Sequence, residues 1–294
     1  MKNKALFSLL ASMVIFGTIG IFRRYIPLSS GLIAFSRGVI GFIFLLAYLR
    51  ISKKPFSPKK AGKSFLALCV SGAVMGFNWI LLFEAYNYTS VATATLCYYM
   101  APVFVILTSP FVFGEKIGTK KFLCVFGAVI GMFFVSGIFE SGFGGIGEPK
   151  GIFFGVSAAV LYAGVVIMNK KTPEVPPFEK TVIQLGSAAA VLLPYIAFTE
   201  DFSAVKIEPK ALVFLLITGI VHTGIAYALY FGSIGELPAQ TTAIFSYIDP
   251  VAAIILSAVF LDEKLGFSGA AGAFLILGSA FLSETEIKIN KKRV

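Results

Sequence analysis

Charge is what this 294-residue chain has least of. Only 14% of its residues are Asp, Glu, Lys or Arg, against about 25% in an ordinary soluble domain. It has one histidine, one tryptophan and three cysteines, while 57% of its residues are hydrophobic. With so little polar side chain to clothe a surface, a water-soluble enzyme is excluded, and so is a disordered scaffold. Cys69, Cys97 and Cys124 are odd in number and lie inside apolar runs, which excludes a disulfide framework and gives no metal-binding spacing. They read as core thiols, and with one histidine no metal site is expected. Catalytic signatures are lacking too. Gly62-Lys63-Ser64 has Ser57 where a phosphate-binding loop needs its first glycine, and neither a His-Glu-x-x-His nor a Gly-x-Ser-x-Gly motif occurs. Neither an enzyme nor a cofactor is indicated.

What the chain has in quantity is long apolar stretches. They run over about 5–22, 31–50, 64–84, 92–113, 118–139, 150–168, 180–198, 210–231, 239–261 and 267–283, each near the roughly 20 residues that a helix needs to cross a bilayer. Runs such as 212–220 do not alternate in polarity, which excludes membrane β-strands. The expected fold class is an all-α membrane protein of ten transmembrane helices. Lys2 and Lys4 before an apolar stretch resemble a signal peptide, but the stretch continues to Phe22 with no clear cleavage site, so it is read as the first helix.

The net charge of +10 is explained by where the positive residues fall. With the N-terminus inside, eighteen Lys and Arg lie on the cytoplasmic side and six on the other, with Arg37 within a span. That asymmetry predicts a multi-pass cell-membrane protein with both termini cytoplasmic, and no nucleic-acid partner. The Asn87-Tyr88-Thr89 sequon is too short a pattern to carry weight.

The sequence also repeats. At an offset of 148 residues, Leu81 aligns with Leu229, Thr93 with Thr241, Tyr99 with Tyr247, Pro102 with Pro250, Glu115 with Glu263 and Gly118 with Gly266. The expected halves are residues 1–141 and 142–294, each with five spans. An odd number of spans turns the second copy over relative to the first, a build that recurs among secondary transporters and supports alternating access.

The ten-span duplication, the segment Tyr99-Met100-Ala101-Pro102-Val103 through Gly114-Glu115-Lys116, and its echo Tyr247-Ile248-Asp249-Pro250-Val251 through Asp262-Glu263-Lys264 resemble the EamA-type branch of the drug/metabolite transporter superfamily. The resemblance implies a cavity surrounded by spans one to four and six to nine, with spans five and ten towards the periphery. It also implies a small-molecule substrate such as an amino acid, a nucleotide precursor, a quaternary amine or another metabolite, often exchanged for protons, but it selects no particular substrate.

Ionisable groups within spans are costly and are candidate sites. Asp249 falls near the middle of span nine, where it could exchange a proton or serve as counter-charge to a substrate; as a structural group it would cap the helix break at Pro250. His222, in span eight, would titrate near neutrality if water reached it, or be hydrogen-bonded within the bundle. Arg37 could hold a substrate carboxylate through its forked guanidinium, or pair with Glu84 as a structural ion pair. Asn78, Trp79, Tyr98, Tyr99, Tyr227, Tyr230 and Tyr247 suit the walls of a cavity for organic molecules, with Tyr99 and Tyr247 favoured over Tyr230 because they recur before the repeated prolines. Pro102 and Pro250 each remove a backbone donor, giving a gating hinge or a static kink. Glu115-Lys116 and Glu263-Lys264 could latch one closed state, but exposed pairs contribute only about 0–1 kcal/mol and are read as topological stops. Gly72 with Gly76, Gly127 with Gly131 and Gly151 with Gly155 have the spacing of close helix contacts, which leaves a homodimer open.

The leading expectation is a gradient-driven transporter working by alternating access, for a small polar or amphipathic metabolite, with the lipid bilayer and protons as further partners. A non-transporting accessory protein, with a dry centre, and a flippase for lipid-linked precursors, with a lateral opening, are the alternatives.

Overall fold

The computed structural model describes residues 2–23, 25–53, 56–88, 94, 97–135, 149–200, 208–260 and 266–284. The first half supplies α1 (Lys2–Arg23), α2 (Ser30–Ile51), α3 (Phe65–Tyr88), α4 (Ala101–Phe113) and α5 (Thr119–Val135). The second supplies α6 (Pro149–Lys170), α7 (Pro177–Thr199), α8 (Pro209–Ile234), α9 (Ala239–Ser246), α10 (Ile248–Phe260) and α11 (Phe267–Glu284). The ninth span is therefore two helices, α9 and α10, broken at Tyr247. By length and composition alone, five of the described helices suffice to cross a membrane, and shorter apolar helices supply the rest. The boundary between the halves, at 141/142, lies outside the described residues.

Packing follows membrane rules, with large apolar side chains outward and small residues at the helix contacts. Phe111 and Phe198 are each 90% exposed, a cost no aqueous surface would sustain on that scale but one that lipid tails remove. Inside, Gly72 of α3 lies so close to α7 that an added Cβ would sit 2.3 Å from the carbonyl oxygen of Gln184. At Gly131 it would lie 2.8 Å from the carbonyl oxygen of Gly272 on α11.

The contacts between the halves have two-fold symmetry. Helix α1 packs on α8 as α6 packs on α3, α1 on α10 as α6 on α4, and α2 on α8 as α7 on α3. Equivalent helices also meet one another, α2 with α7 and α5 with α11. In these self-pairs the two copies run in opposite senses. Ser29, just before α2, bonds Glu200, just after α7, whereas Gly41 further along α2 meets Leu185 near the start of α7. Likewise Gly127 meets Ser279 and Gly131 meets Ile276. A symmetry axis that reverses helix direction lies across the helices, so the chain is two inverted five-span repeats.

Helices α5 and α11 pack on each other and otherwise mainly on α9 and α10. No residue of either lines the central cavity described below, which leaves these two at the periphery. Where α2 and α8 cross, α8 widens into a π-helix over Thr218–Ile225; there the Thr223 hydroxyl donates to the carbonyl of Thr218, 3.0 Å away, and Gly41 of α2 approaches the carbonyl of Gly219. Outside the spans, Ser64 donates to Glu174, which holds that carboxyl below its ordinary range.

Candidate functional site

Residues of both halves line a cavity of about 480 Å³, within the range of small-molecule sites. Its walls come from the later parts of α1, α3 and α8, the second turn of α2, Tyr98 and Tyr99 just before α4 and the first turn of α4 itself, the middle of α6, and the break between α9 and α10. Repeat-related residues face it together: Trp79 with Tyr227, Tyr98 with Ser246, and Ala101 with Asp249. The rings of Trp79 and Tyr227 lie 6.2 Å apart. Just beside the cavity, the hydroxyl of Tyr247 donates to the backbone carbonyl of its own repeat partner, Tyr99, at 3.0 Å.

Charge breaks this symmetry. Among the described lining residues only Arg37 and Asp249 are charged types, and their repeat partners are Leu185 and Ala101. The guanidinium of Arg37 sits 4.7 Å from the centroid of the Trp79 ring and shares the cavity wall with Tyr227, while its Nε is buried without an acceptor. Glu84, the candidate structural partner, instead accepts from the Tyr195 hydroxyl at 3.0 Å. Asp249 belongs to the first turn of α10 and lines the cavity together with Tyr99. One basic and one acidic side chain thus face a single aromatic-walled space, in a low-dielectric setting where a charged guest interacts strongly.

Seven residues singled out from the sequence meet at this cavity: Arg37, Trp79, Tyr98, Tyr99, Pro102, Tyr227 and Asp249. Five others stand outside its wall, and of these Tyr230 is buried and lines the small void beyond it. His222 is buried, with Nε2 2.7 Å from the Thr18 hydroxyl and its ring edge-on to Phe22, so it ties α8 to α1. Asn78 donates to the carbonyl of Ala158 at 2.6 Å and takes the Tyr98 hydroxyl at 3.5 Å, so it braces a wall residue. Tyr247 is fully buried, and Pro250 lies buried in the first turn of α10. Pro102 and Pro250 stand in the first turns of α4 and α10, where a missing backbone amide costs no intrahelical bond, and Tyr98 and Ser246, four residues earlier, line the cavity.

Sequence reasoning missed Tyr162 and Phe16, both in the wall. Tyr162 stacks near Tyr98 and Tyr230, with ring centroids 5.6 and 6.5 Å away; Phe16 meets Tyr227 edge-on at 5.1 Å. Tyr162 was legible only as a polar hydroxyl in the middle of an apolar span, opposite Val14 in the repeat. Glu263 and Lys264 lie outside the described residues.

An inverted-repeat membrane bundle closed around a charged, aromatic-walled cavity is the architecture of a membrane transporter. The EamA-like transporter family matches residues 3–137 and again 149–285, and the chain belongs to that family. It is 31% identical to the uncharacterized transporter YxxF of Bacillus subtilis over 96% of this chain and 90% of that one. It is 26% identical to protein RarD of Salmonella typhi over 78% and 76% of the two chains. A solved crystal structure with 18% sequence identity superposes with a TM-score of 0.85 over 97% of each chain, a likeness of fold.

Proposed function

We propose that this membrane transporter is a secondary active carrier of small polar or amphipathic metabolites that bear ionic groups, with amino acids and amines as the leading class. One observation carries the reading: Arg37 and Asp249, one basic and one acidic, face one cavity lined by two inverted halves. A zwitterion offers a carboxylate for the guanidinium fork and an ammonium for the Asp249 carboxylate, while Trp79, Tyr98, Tyr99, Tyr162 and Tyr227 cover its apolar part. In the proposed cycle the halves 1–141 and 142–294 rock about the cavity, Asp249 exchanges a proton or a cationic group at each turn, and both termini face the cytoplasm at the cell membrane. A cavity lined by two ionisable side chains, Arg37 and Asp249, weighs against a dry, non-transporting bundle.

Reconstitution tests this. A metabolite screen by thermal shift identifies a ligand, because binding to the folded state raises apparent stability. With that ligand, Asp249→Asn should abolish uptake driven by a pH gradient in proteoliposomes while the protein stays folded. Unchanged pH-driven uptake would remove the role assigned to Asp249.

A further inference from the structure

The cavity lies towards the face at which α1 ends and α2 begins. Towards the opposite face, where α4 ends and α9 begins, it narrows to a void of about 10 Å³ between Val105, Val166, Tyr230 and Thr242, about enough for a single water. Beyond that void is a polar cluster that the reading of Glu115 as an exposed stop did not anticipate.

Glu115, in the connection after α4, is only 20% exposed. Its Oε1 accepts from the backbone amide of Ala239 at 2.9 Å, and its Oε2 from that of Gln240 at 3.4 Å. These are first-turn amides of α9, which have no partner within their own helix and carry the positive end of its dipole. Pro238 stands immediately before them. Lys170, the last residue of α6, places Nζ 3.6 Å from Glu115 Oε1, donates to the carbonyl of Leu237 and covers the ring of Phe113 at 5.2 Å. The buried Gln240 adds Nε2 contacts to Ser109 Oγ at 3.2 Å and to the carbonyl of Lys116 at 3.5 Å.

One carboxylate therefore joins the end of α4, in the first half, to the ends of α6 and α9 in the second. If the halves separated at this face, Glu115 would lose two amides and a cation together, and the α9 amides would lose their acceptor. We infer that Glu115, clamped by Lys170 and the first amides of α9, is the latch that holds the transporter closed at this face, so that it sets which side the cavity opens to. The inference rests on the alternating-access reading above.

The test uses Ser246→Cys, on the cavity wall, with Cys69, Cys97 and Cys124 replaced by alanine. A membrane-impermeant maleimide is applied from each face in turn, in membrane vesicles of both orientations. Glu115→Ala should speed labelling from the face where α9 begins by at least about tenfold, the scale expected when hydrogen bonds to a charged group are lost from one of two states. Glu115→Gln and Lys170→Met should shift it in the same direction by less, and they decide the matter if the alanine variant fails to fold. Labelling from that face that stays at the wild-type rate in folded variants overturns the latch. Such a result leaves the carrier reading standing, since Asp249→Asn tests that reading separately.

Discussion

Helix α1 meets the broken ninth span at Gly17, and the coordinates fix what a single methyl group would do there. In Gly17→Ala the added Cβ would lie 2.7 Å from Ala252 Cβ, 2.8 Å from the Asp249 carbonyl oxygen and 2.9 Å from the Ala253 nitrogen. Favourable carbon contacts begin at about 3.5 Å, so α1 must withdraw from α10 by somewhat less than about 1 Å. Two of the three obstructing atoms are backbone, which no rotamer change can move aside. Overpacking of this kind costs about 1–3 kcal/mol, a factor of roughly 5 to 150 in the folding equilibrium. Gly164→Ala in α6 is the matched control: nothing lies within 4 Å of its added Cβ, and the intrinsic helix preference of alanine over glycine, about 1 kcal/mol, acts there without a clash. Thermal unfolding of the purified protein in detergent should therefore move in opposite directions for the two variants. Trp79, the only tryptophan, stands in the cavity wall with Gly17, so its emission should shift in Gly17→Ala and hold in Gly164→Ala. If Gly17→Ala melts with the wild type and keeps its emission, the packing of α1 against the Asp249 backbone is wrong.

Arg37→Ala should weaken a carboxylate-bearing ligand by roughly 10- to 150-fold, the range for a lost hydrogen bond to a charged group, while a neutral ester analogue changes little; equal losses in thermal-shift titrations would make Arg37 structural. Ala101 and Asp249 face the cavity from equivalent positions, each followed by proline. Asp249→Ala should therefore lower pH-driven uptake about 100-fold or more, as loss of a proton-transfer group does, and adding Ala101→Asp should restore much of it. No recovery in a folded double variant would show that the two sites are not interchangeable across the axis.

The fold was legible because a bilayer leaves few solutions for long apolar runs, and because the repeat survives in Tyr99-x-x-Pro102 and Tyr247-x-x-Pro250. Asp249 and Arg37 were legible because charge within a span is conspicuous. Which buried polar groups serve the cavity and which serve one another was not legible, since each must find some partner in a low dielectric and the sequence does not say which. Hence Asn78 is spent on the carbonyl of Ala158 and His222 on Thr18. Symmetry separates the tyrosines: equivalent in the repeat, Tyr247 turns its hydroxyl to the Tyr99 backbone, whereas Tyr99 lines the cavity beside Asp249. The π-helical widening of α8 had no sequence signal, and Glu115 looked like a surface charge until Ala239 and Lys170 were placed beside it.

In the proposed cycle one cavity, walled by both halves, is exposed to each side of the membrane in turn. The direct measurement is labelling of Ser246→Cys from each face, with and without a bound ligand, in the transporter whose Cys69, Cys97 and Cys124 are replaced by alanine and whose Glu115 and Lys170 are kept. Labelling should occur from both faces, at rates that a ligand lowers on both. Labelling from one face only, however long the exposure, would contradict it.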